Sequence, residues 1–343
     1  MTIPPSMPDP LAAIGWTDAP PHGLDDEAGA LQPARVAASH GIAVTLWTRE
    51  GVRNGPLANT LSEPPAVGDW VLARPTAGDW LVQRLLPRRT QFVRHASGQE
   101  TRPQVIAANV DRVLVATGLD GDFNHRRLER YLLALATSGA AATVVLTKAD
   151  QCRDVASFRA QAAVMAPTVA VSARTGEGMD ALRALIPPGA TVALVGSSGV
   201  GKSTLVNALM GGERASTGAV RSFDNKGRHT TTHREMFVVP GGGVVVDTPG
   251  MRGLEPWADE GTHAALDAMF GEVSAAAAGC RFTDCDHAAT PDCALRAGVA
   301  AGALSSERVR SWVTLHAELA QQAVLRVERA EKLALKARKG RRG

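Results

Sequence analysis

Aromatic residues are scarce in this 343-residue chain, with one Tyr, six Trp and seven Phe making up 4% of it. Surfaces that capture nucleobases by stacking need more rings than this, so an aromatic-rich base platform is not expected. Four cysteines in a chain of this length exclude a disulfide-built scaffold. No uncharged apolar run reaches about 18 residues, so no membrane span is expected. The Pro-rich start lacks a basic segment followed by an apolar one, and no signal peptide is read there. These absences give the expectation of a cytoplasmic protein with no membrane partner, and a monomer is the default. Basic residues are also missing from the first 34 positions, which hold five acids, and lysine is missing from Arg35 to Arg102, which holds nine Arg.

The remaining composition, 45% hydrophobic and 21% charged with net charge +3, is that of a globular protein with room for two or three domains. Residues 1–33 read as a flexible acidic, Pro-rich extension. Residues 34–98 carry short β-like runs such as Gly41–Trp47, Asp69–Ala73 and Asp79–Gln83, split by turn residues; this suits a small barrel of the OB type. Residues 99–254 alternate strand and helix around a largely parallel sheet. Residues 255–343 are helical, with a Cys/His-rich loop and a basic tail from Lys332 to Arg342.

Chemistry concentrates at Gly196-Ser197-Ser198-Gly199-Val200-Gly201-Lys202-Ser203, which fits G-x-x-x-x-G-K-[ST]. An apolar strand precedes it and a helix follows, the setting in which backbone N–H groups wrap a nucleotide's phosphates. Lys202 is expected on the β- and γ-phosphates and Ser203 on Mg²⁺, with Thr204 alongside. Asp247-Thr-Pro-Gly250 closes an apolar strand; Asp247 suits the Mg²⁺ shell and Gly250 can donate its N–H to the γ-phosphate. Between them lies Gly227-Arg-His-Thr-Thr-Thr-His233, a polar segment of the kind that switches with nucleotide state; Thr230 and Thr231 are both candidates for the Mg²⁺ contact. Met251 stands where many GTPases place the water-orienting Gln. His229 is the nearby candidate for that task, with a solvent-exposed His as the alternative.

Thr147-Lys148-Ala149-Asp150 is similar to the N-K-x-D motif, in which the Asp accepts from guanine N1–H and the exocyclic amine. Adenine offers neither donor there, so Asp150 favours GTP over ATP. Thr147 departs from the usual Asn. Ser172-Ala173 matches the second base-contacting loop. The motif order is therefore a circular permutation of the common GTPase order, which a domain with neighbouring termini tolerates. Cys280, Cys285, His287 and Cys293 fall within 14 residues, a closed Cys₃His set for one structural Zn²⁺.

The combination resembles the ribosome small-subunit-dependent GTPase A (RsgA) family. The matching residues are Gly196–Ser203, Gly227–Thr232, Asp247–Arg252, and Cys280–His287 with Cys293. The resemblance implies an OB barrel, a circularly permuted GTPase and a zinc domain. It also implies GTP/GDP and Mg²⁺ as ligands and the small ribosomal subunit and its rRNA as partners, with slow hydrolysis accelerated by the subunit. Arg88, Arg89, Arg94 and Arg102 are candidates for phosphate contacts. Trp47, Trp70 and Trp80 are candidates either for stacking or for core. The competing function is a GTP-ordered rRNA-binding module in which hydrolysis is incidental.

Overall fold

The structure, a computed structural model, describes residues 9–17, 31–95, 103–211, 235–247 and 260–340. By its contacts the chain forms two compact units: residues 1–124 with 138–253, and residues 125–137 with 254–343.

In the first unit, β1 (Gln32–Ser39), β2 (Ala43–Thr48), β3 (Gly51–Pro56), β4 (Trp70–Pro75) and β5 (Trp80–Leu85) come first. β1 pairs antiparallel with both β2 and β4, β2 with β3, and β4 with β5. Leu57, just past β3, bridges Val82 on β5, so the pairing returns on itself. The apolar/polar alternation of β2 sends Val44 and Leu46 into a core with Val36, Val71, Trp80 and Val82. Trp70 and Trp80 are 6% and 2% exposed; they are core residues and offer no stacking face. Asp69, fully buried, is held by Arg88 through two 2.8 Å bonds. Burial raises the Asp69 carboxyl, and the arginine is committed to it and to Glu63. Arg88 is therefore not free for phosphate; Arg89, more exposed, pairs with Asp111. The side chains of Arg94 and Arg102 lie outside the described residues.

A ribbon of β6 (Gln91–His95) and β7 (Pro103–Ala108) follows, straddling the point where the sequence pattern changes. The α/β part contains β8 (Arg112–Gly118), β9 (Ala141–Thr147), α2 (Val155–Ala163), β10 (Thr168–Ala170), α3 (Met179–Ala184), β11 (Thr191–Gly196), α4 (Lys202–Leu209), β12 (Glu235–Val238) and β13 (Val244–Asp247). Its strand order is β10-β9-β8-β11-β13-β12. All neighbours are parallel except β12 with β13. Strands buried on both faces read as continuous Val/Leu runs, and every residue of β11 is buried. The chain runs outward from β8 to β10, then returns to β11 and continues on its other side through β13 and β12, where β12 pairs antiparallel with β1. Ligands of such sheets sit beyond the strand C-termini where the direction reverses, here between β8 and β11.

Residues 9–17, expected within a flexible extension, are instead packed. Leu11 and Ile14 are 1% and 6% exposed, and the Trp16 and Trp70 rings lie 4.9 Å apart. The Ala13 carbonyl accepts from Gly189 N at 2.9 Å. The fully buried Arg35 guanidinium donates to the carbonyls of Ile14, Asn109 (3.2 Å) and Gly68 (3.4 Å), over the Trp70 ring. Burial without a directly bonded carboxylate pulls its pKa down to about 9. Composition marked the segment as polar and Pro-rich, but Leu11, Ile14 and Trp16 are the anchors.

The second unit joins α1 (His125–Ala136) to α5 (Glu260–Met269), α6 (Gly271–Ala277), α7 (Ala294–Ala300) and α8 (Ser306–Gly340). Trp312, Leu315 and Leu319, spaced for one helical face, pack with Leu133, Leu266, Phe270 and Val273. Thus α1, which follows β8 in sequence, shares the C-terminal core. α5 and α6 follow one another directly, divided at Phe270.

Replacing Arg35 with Ala removes this donor from the buried carbonyls of Ile14 and Asn109, while Gly68 O keeps Asn109 Nδ2 at 3.1 Å. The expected destabilisation is roughly 2–4 kcal/mol, read by urea unfolding, with faster proteolysis within the first 17 residues. A loss below about 0.5 kcal/mol would show that Arg35 does not hold the segment.

Candidate nucleotide-binding site and metal centre

The phosphate-type loop leaves the C-terminus of β11 and enters α4. Gly196 has φ 141° and a Cβ there would lie 2.3 Å from the Ala116 carbonyl oxygen, so only glycine fits against β8. Gly201 caps α4 at φ 94°, presenting the helix N-terminus toward the loop, where backbone N–H groups favour anions. Lys202 Nζ donates to Gly196 O at 2.8 Å and Ser197 O at 2.6 Å. Its ammonium thus lies over the loop that phosphates would fill. Ser198, Gly199, Ser203 and Thr204 are exposed, whereas Val200 is buried and anchors the loop.

Thr147 ends β9 and is 2% exposed. Its single hydroxyl proton goes to Val200 O at 2.6 Å; Thr117 O lies farther, at 3.3 Å. The residue that departs from the Asn motif therefore braces the phosphate loop directly. Lys148, at φ 58°, pairs through Nζ with Asp120 in the loop after β8, and this pairing holds the Asp120 carboxyl low. Ala149 N donates to Val171 O at 3.1 Å, joining the loops after β9 and β10.

Asp150 Oδ1 accepts from Ser172 Oγ at 2.6 Å and Oδ2 from Arg174 Nε at 2.9 Å. The Ser172 bond first, and Arg174 second, hold its carboxyl below the usual carboxylate range. Ser172 is fully buried and its Oγ also accepts from Thr175 N; Ala173 is half-buried beside it.

The structure thus brings Thr147–Asp150, Ser172–Ala173 and Gly196–Ser203 together at one end of one sheet. Asp247 is the last residue of β13, in register with Leu194 of β11; its side chain lies outside the described residues, as do His229, Thr230, Thr231, Gly250 and Met251. Sequence reading missed three participants. Asp120 belongs to a Gly-Leu-Asp-Gly turn that resembles any surface turn, and Thr117 precedes it within the apolar run of β8. Arg174 sits directly after the Ser-Ala pair, and only that adjacency could have marked it.

In the second unit, one ligand atom each from Cys280, Cys285, His287 and Cys293 lies within 4.8 Å of the others. His287 Nδ1 is 3.6 Å from Cys280 Sγ and 3.7 Å from Cys293 Sγ, near the separation that tetrahedral bonds of about 2.3 Å to sulfur and 2.0 Å to nitrogen produce. Asp286 shapes the loop. Its Oδ1 accepts from the N–H groups of Ala288, Ala289 and Thr290 and from Thr290 Oγ1, which holds the carboxyl far below its ordinary range. His287 and Asp292 take φ of 56° and 54°, turning the chain so that both flanking cysteines face inward. Three sulfurs and one imidazole fit Zn²⁺ and leave no position for a reacting water.

A family model described as RsgA GTPase matches residues 85–257. A small ribosomal subunit biogenesis GTPase RsgA of Opitutus terrae is 44% identical over 341 residues, covering 91% of this chain and 90% of that relative. Another of that name, from Xanthomonas euvesicatoria, is 46% identical over 285 residues, covering 82% and 75%. The crystal structure of YjeQ from Thermotoga maritima superposes with TM-score 0.62 at 25% identity, covering 84% of this chain and 98% of that one. YloQ, a circularly permuted GTPase, does so with TM-score 0.60 at 20% identity, covering 86% and 96%.

If the Thr147 hydroxyl aligns the base-reading loop with the phosphate loop, Thr147→Ala weakens GDP binding by about five- to ten-fold, measured by calorimetry, and Thr147→Ser restores it. Equal affinity for wild type and Thr147→Ala would contradict the brace.

Proposed function

Because the chain belongs to the RsgA GTPase family, we propose that it is a GTP hydrolase that assists late maturation of the small ribosomal subunit, accelerated by that subunit. The observation that carries this reading is the direct link between the base-reading and phosphate loops, Thr147 Oγ1 to Val200 O. It supports one site gathered from motifs in permuted order. Asp150, preset by Ser172, accepts from the guanine edge, and Thr147–Ala149 and Ser172–Ala173 frame the base.

Each side chain has a definable task. Lys202 exchanges its two carbonyl acceptors for phosphate oxygens, neutralising charge that builds on them during transfer. Ser203 and Asp247 are the residues to hold Mg²⁺, with Thr230 or Thr231 joining from the switch. Bound Mg²⁺ would supply charge neutralisation across the β- and γ-phosphates. Gly196–Gly201 and Thr204 cradle the phosphates through backbone groups, and Gly250 donates toward the γ-phosphate. Met251 has only a thioether, a weak acceptor, so the attacking water is oriented by another group. His229 is one candidate, and a group contributed by the ribosomal subunit is the other. That gap accounts for a GTPase whose rate depends on its partner.

The remaining regions complete the reading. The self-returning pairing of β1 to β5 supports an OB-type barrel over residues 34–98, followed by the GTPase over 99–254. The Cys₃His loop supports one structural Zn²⁺ in 255–343. rRNA contact is assigned to backbone and shape recognition, because Trp70 and Trp80 are buried. The protein works in the cytoplasm as a monomer.

Two outcomes are expected. GTP hydrolysis rises by at least about ten-fold on adding small ribosomal subunits, and Lys202→Ala abolishes the rise; tight GTP binding with no stimulation would favour a nucleotide-ordered binding module. Elemental analysis gives one zinc per chain, and Cys285→Ser lowers both zinc content and thermal stability. A zinc-free protein of unchanged stability would remove the metal from the account.

A further inference from the structure

Arg174 has no role in the functions assigned so far, yet it occupies the residue that is to read the base. Its Nε lies 2.9 Å and its Nη2 2.8 Å from the same Asp150 oxygen, Oδ2. The two partners differ sharply in exposure: the Asp150 side chain is 8% exposed and that of Arg174 75%. The carboxylate is therefore fixed from the protein side, by Ser172 Oγ on Oδ1, while the arginine reaches it from solvent.

The chemistry of the two donors is related. A guanidinium is planar and presents N–H groups in a fixed fork. The guanine edge read by a carboxylate, N1–H with the C2 amino group, is part of a guanidine unit within the ring. Arg174 thus offers Asp150 the same kind of donors as the base does. Adenine presents an acceptor at N1 and no amino group at C2, so it gains nothing from Asp150 to offset displacing the arginine. Lysine would supply charge as a single point without the fork.

We propose that Arg174 is a specificity-determining residue of the guanine site, an internal stand-in for the base edge that covers Asp150 until a guanine nucleotide displaces it. The inference rests on Asp150 being the guanine acceptor. Such a stand-in lowers the fraction of protein ready to bind, and the apparent affinity falls by that fraction. An exposed ion pair is weak, so displacement by guanine is easy and the effect is modest.

The test is stopped-flow binding of fluorescent GDP to the full chain, comparing wild type, Arg174→Ala and Arg174→Lys. Arg174 is largely exposed, so these variants keep the fold. The expected result is association about two- to five-fold faster for Arg174→Ala, with dissociation unchanged and Arg174→Lys in between. Higher ionic strength should shrink the difference by screening the pair. Unchanged or slower association, or faster dissociation showing that Arg174 helps hold the bound base, would overturn the proposal. The underlying reading is checked separately with Asp150→Asn. A switch in preference from guanine to xanthine nucleotides upholds Asp150 as the base acceptor, whereas retained guanine preference removes that reading and the stand-in together.

Discussion

The parallel pairing of β11 with β8 on one side and β13 on the other is the constraint on which the rest of the site depends. β11 carries the phosphate loop, yet its two neighbours come from opposite ends of the permuted segment. Val192 to Gly196 run in register with Arg112 to Ala116, and Thr191 to Leu194 with Val244 to Asp247. The contact is so close that Gly196 has no room for a Cβ against Ala116. Once that register is set, the loops after β8, β9, β10 and β11 emerge on the side where β13 ends, and their order along the chain ceases to matter.

Polar contacts then convert proximity into a defined geometry. Lys148 reaches the loop after β8, Ala149 the end of β10, and Thr147 the phosphate loop. Bonds in buried surroundings, such as that of Thr147, are costly to leave unmade, which makes them better locks than exposed ion pairs. The solvent-facing Arg174–Asp150 pair is the opposite case, a contact weak enough to be exchanged for a ligand. The site combines a fixed frame with a replaceable cover.

Much of this was legible in the sequence because it is encoded locally. The apolar runs of residues 99–254 marked an alternation of strand and helix around a largely parallel sheet, and the glycine-lysine loop required a strand before it and a helix after it. The Cys₃His set was readable because its ligands lie in one loop. What escaped reading was non-local. Arg35 looked like one more basic residue of a barrel, since its carbonyl partners at Ile14, Gly68 and Asn109 are scattered through the chain. The packing of α1 with the C-terminal helices was hidden because Leu133 and Phe270 are far apart in sequence. The departure from Asn at Thr147 was visible, but the partner of its hydroxyl, Val200 O, was not.

The central claim is that permuted segments assemble a single site selective for guanine. Equilibrium binding of GDP and ADP, measured side by side on the zinc-loaded full chain, tests it most directly. An acceptor that pairs with the donors of one base edge and meets an acceptor on the other predicts a preference for GDP of at least about a hundred-fold. Comparable affinities for the two nucleotides would contradict the claim, leaving a phosphate-binding loop with no base-reading site beside it.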